Sequence, residues 1–341
     1  MPFPGGSKAR VDRAGQAVRD GNASDQDYRA IDDWRAAHRN VLNTFQSILR
    51  GRTRTLPITV AQRHKRRNTI LEKLERYPRM RLSQMDDVAG CRLIFQSIKT
   101  LHEFRDNFLN AKFDHSIRNS KGKYDYIAKP KQTGYRGIHD VYSYDVNSAV
   151  GRELTGLLVE IQYRTLLQHS WATAVEVIAY VSESQPKFEK GDTRYRDAMA
   201  FASELLARHF EDMTGPLPEL SSQQVVSEFD KLDRELKLRQ RLSNLQSIDS
   251  VITTKKNTIL LISSGGALEV KSYRHATTAI QTLFDLEEER PDSDVVLVRG
   301  DSTDDIRLAF KNYFSDATDF ISLINDAVNA LRPKRQRATG R

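Results

Sequence analysis

Two carboxylates stand at positions where a charge is costly. Asp87 precedes the apolar run "RLIF", and Glu160 interrupts the run "LLVEIQ". A carboxylate inside a strand-like apolar run needs a cation or hydrogen bonds to offset its desolvation. Taken singly, each reads as one half of an ordinary salt bridge. If the two strands are neighbours, the pair can hold Mg²⁺, which binds through one or two carboxylates and takes its remaining ligands from phosphates and water. Phosphoryl chemistry, with Asp87 and Glu160 as catalytic and metal-holding residues, is therefore the expectation to test.

Such a site also needs cations to disperse phosphate charge and flat surfaces to hold a base. Arg92 follows Asp87 closely, and Arg63 and Lys65 open a basic stretch. A guanidinium can stack on an adenine as well as pair with phosphate. The run "KYDYIAKPKQTGYRGIHD", residues 123–140, crowds lysines and aromatics around a Thr-Gly turn. There Lys129 and Lys131 can serve as point charges, Tyr135 as a stacking face, and Gly134 as a position where backbone can approach a ligand. The plainer reading of this run is a solvated turn with one core tyrosine.

The elements that must position these residues follow from periodicity. Residues from about Asp25 to Leu49 space Tyr28, Ile31, Trp34, Val41, Leu42, Phe45 and Ile48 as an amphipathic helix. A second helix is predicted from about Thr59 to Tyr77, with Pro78 as its stop. "CRLIFQS" reads as a strand, "KTLHEFRDNFLNA" as a helix, and "HDVYSYDV" and "GLLVEIQYRT" as strands. Helical patterns then run from "LLQHSWATAVEVIAYVS" to about Gln246, the last of them highly charged. The final hundred residues change style. Two strand-like runs flank Gly265-Gly266, followed by a helix, the strand "DVVLV" and further helical segments ending near Leu331.

These readings predict an α+β fold in five parts: a flexible arm over 1–24, a catalytic domain over 25–215, a helical linker over 216–250, a ββαβα domain over 251–331, and a basic tail over 332–341. No apolar run is long enough to cross a bilayer, and the N-terminus lacks the apolar centre of a secretory signal, so a cytosolic protein without a membrane partner is expected. Cys91 is the only cysteine, which excludes an internal disulfide and a cysteine-rich zinc site. The net charge is +8, and Arg50 to Arg81 carries eleven Lys/Arg against two acids. Such a stretch attracts polyanions when it is not simply a solvated helix face.

Four motifs in order resemble the RelA/SpoT-type alarmone synthetases. "DDVAGCR" is similar to the D-x-x-G-x-R element, "DYIAKPKQTGYRGIH" to the nucleotide-binding G-loop, "VEIQYRT" to the V-E-x-Q-x-R-T strand, and "RHKRRNTILEKL" to the basic helix before them. The resemblance covers roughly residues 40–185. It implies a nucleotidyltransferase-like mixed sheet flanked by helices, and transfer of a pyrophosphoryl group from ATP to the 3′-hydroxyl of GDP or GTP. By this likeness Asp87 ligates Mg²⁺, and Glu160 completes the metal site or takes the hydroxyl proton. Arg63 and Arg92 sandwich the adenine, with Lys65 beside the donor. Tyr135 stacks on the acceptor guanine, with Lys129, Lys131, Arg136 and His139 around the phosphates. Gln162 and Arg164 support the strand near Glu160.

Gly137 stands where the family more often has serine, and Tyr163 replaces a common aliphatic residue. No His-Asp hydrolase motif precedes the basic stretch, so a synthetase without a hydrolase activity is expected. Two other functions stay open. One is transfer to the 3′ end of tRNA, with Arg50, Arg52, Arg54, Arg66 and Arg67 along an RNA backbone. The other is a non-catalytic nucleotide or RNA sensor. The sequence leaves self-association open.

Overall fold

The computed structural model describes residues 3–181, 191–244, 257–263, 267–299, 302–314 and 316–332. One mixed sheet runs through it. Its strands are β1 (Thr59–His64), β2 (Ala89–Phe95), β3 (Ser116–Ile117), β4 (Ile138–Ser143), β5 (Leu158–Thr165), β6 (Asn257–Ile262), β7 (Leu268–Tyr273) and β8 (Asp294–Arg299). They lie in the order β3-β4-β5-β2-β1-β8-β6-β7. β2 and β5 pair in parallel, and the other neighbours pair antiparallel. The α+β class read from the sequence is the one observed.

Helices cover the sheet. α1 (Lys8–Arg19) and α2 (Asp25–Thr53) precede it, α3 (Arg67–Arg76) and α4 (Ile98–Leu109) connect its first strands, and α5 (Ala149–Arg152) is a short turn before β5. α6 (Leu166–Val181), α7 (Thr193–Phe210), α8 (Ser222–Leu236) and α9 (Leu238–Ser243) form a helical lobe after β5. In the C-terminal part, α10 (Ala276–Glu289), α11 (Thr303–Ala309) and α12 (Thr318–Leu331) accompany the last strands. Among the described residues, no helix is long and apolar enough to cross a membrane.

The main core joins α2 to the sheet. Ile31, Trp34, Val41, Leu42, Phe45 and Leu49 of α2 pack with Leu93 and Phe95 of β2 and Val159, Ile161 and Tyr163 of β5. The alternation of β5 sends these three inward and leaves Glu160, Gln162 and Arg164 on the opposite face. This two-residue period is what positions the site.

Several expectations need correction. The stretch 59–77 is not one helix: Thr59–His64 is β1, and the helix begins only at Arg67. β1 is paired on both sides, with β2 and with β8, and this ladder outweighs a weak local preference. Residues 1–24 are not a loose arm throughout. Ser7 caps α1, Val11 and Ala14 are fully buried, and Gly15 lies so close to the next layer that a Cβ there would sit 2.7 Å from Leu82 Cβ. The charged region after 216, expected as a helical linker, is helical and packs into the lobe, where α8 buries Val225, Val226 and Phe229. The Gly265-Gly266 turn and most of the basic tail lie outside the described residues.

The C-terminal strands extend the sheet instead of building a separate one. Arg63 pairs with Val298 across β1 and β8. The fully buried Arg35 of α2 forks onto Glu287 of α10 at 2.9 and 3.0 Å, and the Arg67 amide donates to the same carboxylate. α12 inserts Phe320, Ile324 and Val328 into the helical lobe.

Three core histidines set an acid limit to this fold. His38 Nδ1–H donates to the Trp34 carbonyl, His64 Nε2–H to the Arg35 carbonyl and His169 Nε2–H to the Leu308 carbonyl. Burial pulls their pKa values down from the ordinary 6.5 to about 4, about 3 and about 3. Below pH 6.5 the unfolded chain takes up protons that the folded chain refuses, so stability falls as pH drops through this window. With three such groups the slope approaches about 4 kcal/mol per pH unit. Urea unfolding is expected to show markedly lower stability at pH 5 than at pH 7.5; equal stability at the two pH values would contradict this assignment.

Candidate active site

A cleft of about 590 Å³ opens on the sheet face opposite the α2 core. Strand register builds its floor in two rows. Arg63, Gly90 and Glu160 are cross-strand neighbours, and so are Ala61, Arg92, Gln162 and His139. Gly90 sits between Arg63 and Glu160, where a Cβ would meet only ordinary contacts, at 3.8 Å from the Arg63 carbonyl oxygen and 4.0 Å from that of Glu160. Packing alone therefore does not demand a glycine here.

Asp87 stands just before β2, with its carboxylate held by two ammonium groups. Lys65 Nζ lies 2.5 Å from Oδ2 and Lys73 Nζ 2.9 Å from Oδ1. Burial alone would raise the Asp87 pKa, but Lys65 and Lys73 hold it well below the usual carboxylate range. Burial in turn pulls Lys65 down to about 8 against the opposing pull of Asp87. Asp86 lies 3.4 Å from Lys73, and its pKa is raised by burial.

On the other wall, Glu160, His139 and Tyr135 form a chain of hydrogen bonds. His139 Nδ1 is 2.6 Å from Glu160 Oε1, and His139 Nε2 is 2.5 Å from the Tyr135 hydroxyl. Gln162 donates to Glu160 Oε2 at 2.6 Å, and Arg164 to the Tyr135 hydroxyl at 3.2 Å. Burial opposes the charge on His139, yet Tyr135 and Glu160 carry its pKa up to about 9. Burial would likewise raise Tyr135, but Arg164 and His139 bring it down to about 7. For Glu160, burial is outweighed by His139, which keeps the carboxylate ionised. An imidazolium donating to both neighbours fits all three shifts.

Lys131 reaches over this wall, 4.4 Å from the ring centre of Tyr126 and 5.4 Å from that of Tyr135. Arg92, pulled down to about 9 by burial and by Arg164, remains charged at neutral pH. The Nε donors of Arg92 and Arg164 are buried without a hydrogen-bond partner. Anionic oxygens would satisfy them.

The cleft thus gathers Arg63, Lys65, Asp87, Arg92, Lys131, Tyr135, His139, Glu160, Gln162 and Arg164. Three expected residues are not on its wall. Lys129 is exposed beyond a turn in which Asp125 Oδ1 accepts the Ile127 and Ala128 amides. Arg136 is buried in an ion pair with Glu211, which also accepts from Thr165 and Gln168. Gly134 serves packing instead of ligand approach. Its φ is +95°, and a Cβ would lie 2.8 Å from Trp171 and 3.0 Å from the Met199 carbonyl. Sequence reasoning missed Lys73 and Tyr126, although Lys73 lay in the basic stretch and Tyr126 in the aromatic run.

Among the described residues, no three or more His, Cys, Asp and Glu cluster as a metal cage. A pair of ionised carboxylates facing one cleft still suits a hard cation that draws its other ligands from phosphates and water.

Residues 62–185 match the region found in RelA / SpoT proteins. GTP pyrophosphokinase YjbM of Bacillus subtilis strain 168 is 34% identical over 114 residues, 33% of this chain and 51% of that protein. The uncharacterized protein Rv1366 of Mycobacterium tuberculosis is 28% identical over 183 residues, 52% of this chain and 60% of that one. The chain therefore spans between half and two thirds of the length of these relatives. Among solved structures, small alarmone synthetase 1 from Bacillus subtilis bound to its product pppGpp is 27% identical, covering 50% of this chain and 88% of that chain with a TM-score of 0.44.

Proposed function

We propose that this chain, whose residues 62–185 belong to the RelA/SpoT family, is a (p)ppGpp synthetase that transfers a pyrophosphoryl group from ATP to the 3′-hydroxyl of GDP or GTP. The observation that carries the reading is the division of one cleft. Asp87 with its two lysines, Arg63 and Arg92 lie on one side, and Tyr135, His139 and Lys131 lie on the other, with Glu160 between. That is room and chemistry for two nucleotides.

Arg63 and Arg92 would hold the donor purine, and Lys65 and Lys73 its phosphates. Tyr135 would stack on the acceptor guanine, with Lys131 and His139 near its phosphates. Asp87 and Glu160 would hold Mg²⁺, which when bound supplies neutralisation of phosphate charge. The acceptor O3′ attacks the β-phosphorus of ATP, the bond from that phosphorus to the oxygen bridging to the α-phosphate breaks, and AMP leaves with that oxygen. The hydroxyl proton passes to the Glu160 carboxylate. In-line positioning and charge dispersal supply most of the rate in such transfers. Glu160 is suited to the proton because His139 keeps it ionised and the strand keeps it rigid.

No observation favours tRNA as acceptor. Arg66 pairs with Asp294, and Arg67 pairs with Asp32 at 3.7 Å and lies over Tyr28 at 4.5 Å, so neither offers a free contact to an RNA backbone. The test is direct. Protein with Mg²⁺ and ATP labelled on its γ-phosphate is offered GDP, GTP or deacylated tRNA. Label on a guanine nucleotide is the expected result; label on tRNA would replace the acceptor, and label on none would leave only a nucleotide sensor.

A further inference from the structure

The donor side of the cleft is closed by a segment far outside the matched region. Phe310 lines the cleft together with Arg63 and Arg92. Arg92 Nη1 donates to the Ala309 carbonyl at 2.6 Å, and its guanidinium lies over the Phe310 ring, 5.8 Å from the centre. The same segment is fixed one residue earlier, where the Leu308 carbonyl lies 2.7 Å from His169 Nε2 on α6. Ala309 and Phe310 are buried against Ala61 of β1 and Ile94 of β2, the strands that carry Arg63 and Arg92.

We propose that Leu308–Phe310 is part of the donor-nucleotide site, and that Phe310 is a positioning residue that holds the Arg92 guanidinium so that it can stack on the donor purine. This rests on the reading of that side of the cleft as the donor subsite. The physical need is local. Arg92 is buried between Arg164 and Arg63, whose charges it faces, so its guanidinium needs partners on the remaining side. The Ala309 carbonyl at 2.6 Å from Nη1 and the electron-rich Phe310 ring face supply them. A side chain held in one orientation gives up less freedom when a base stacks on it. Specificity for the donor base then depends on a part of the chain outside residues 62–185.

The readout must separate this role from general support of the fold. Binding of a non-hydrolysable ATP analogue and of inorganic tripolyphosphate is measured by calorimetry on wild-type protein, Phe310→Ala and Phe310→Leu. Both variants are expected to weaken the ATP analogue, with Phe310→Ala near about tenfold and Phe310→Leu less. Tripolyphosphate, which has no base, is expected to bind all three alike. In turnover, KM for ATP is expected to rise while kcat and the KM for the guanine nucleotide stay within about twofold. Unchanged analogue binding, or an equal loss for analogue and tripolyphosphate, would overturn the proposal. If Phe310→Ala does not fold, Phe310→Leu decides by the same comparison. A wild-type protein that binds the ATP analogue but transfers nothing would defeat the synthetase reading, and the binding comparison would still stand.

Discussion

Glu160→Gln is expected to lower the rate of pyrophosphoryl transfer at saturating nucleotides by about 10³-fold or more. The substitution keeps the volume and one hydrogen-bond acceptor but removes the charge that His139 faces at 2.6 Å. Proton acceptance at this position is then lost, because an amide cannot take the hydroxyl proton. A second consequence follows for His139. Its pKa stands at about 9 partly because of Glu160, so without the carboxylate the imidazole loses a main reason to stay charged. The bond to the Tyr135 hydroxyl weakens with it, and the phenol moves back toward its ordinary pKa. Single-turnover rates with saturating nucleotides separate chemistry from binding, and histidine proton resonances report the His139 titration. A Glu160→Gln enzyme retaining more than a tenth of the wild-type rate would remove Glu160 from the proton role. Glu160→Asp is the companion: it keeps the charge but shortens the reach by one methylene, and its loss should be smaller.

Parts of this site could be read before any coordinates, and the reasons are local. Glu160 stood out because β5 alternates cleanly, so a lone carboxylate on its open face had to be solvated or used. Asp87 fell two residues before β2 and Arg92 at its middle, beside an apolar run that was unmistakable. β1 was misread because its identity comes from neighbours. Val60 and Ala61 are its only apolar residues in the span Thr59–His64, and two flanking strands supply the hydrogen bonds that make it a strand. Lys129 and Arg136 had the right chemistry and the wrong direction, since a loop with no periodicity gives no rule for which side chain faces inward. Phe310 lies beyond the reach of any local pattern. Its ring meets Arg92 beside the Ala309 carbonyl, which is 217 residues from Arg92 in the chain, and the continuation of the sheet from β1 into β8 brings them together.

Asp87→Asn carries the second large effect, and its interest lies in the two lysines. The carboxylate is expected to bind Mg²⁺ during turnover, so its loss should cost about 10³-fold in rate and raise the Mg²⁺ concentration needed for half-maximal activity. In the free protein the same carboxylate balances Lys65 and Lys73 at 2.5 and 2.9 Å. Lys65 is already pulled down to about 8 by burial, with Asp87 resisting. With an amide in place of that resistance, its pKa should fall into the neutral range, and part of the protein would lose one of its phosphate-binding charges. The sign of the stability effect follows from Asp87. Its folded pKa lies below the ordinary value, so its ionised form stabilises the fold above about pH 4, and that contribution fades as the pH falls through the folded value. Asp87→Asn should therefore destabilise at pH 7, by about 1–3 kcal/mol once the partial exposure of Asp87 and Lys73 is discounted. Denaturant unfolding with and without Mg²⁺ measures both halves. A variant equally stable, equally responsive to Mg²⁺ and only slightly slower would show that Asp87 serves neither the metal nor the lysines.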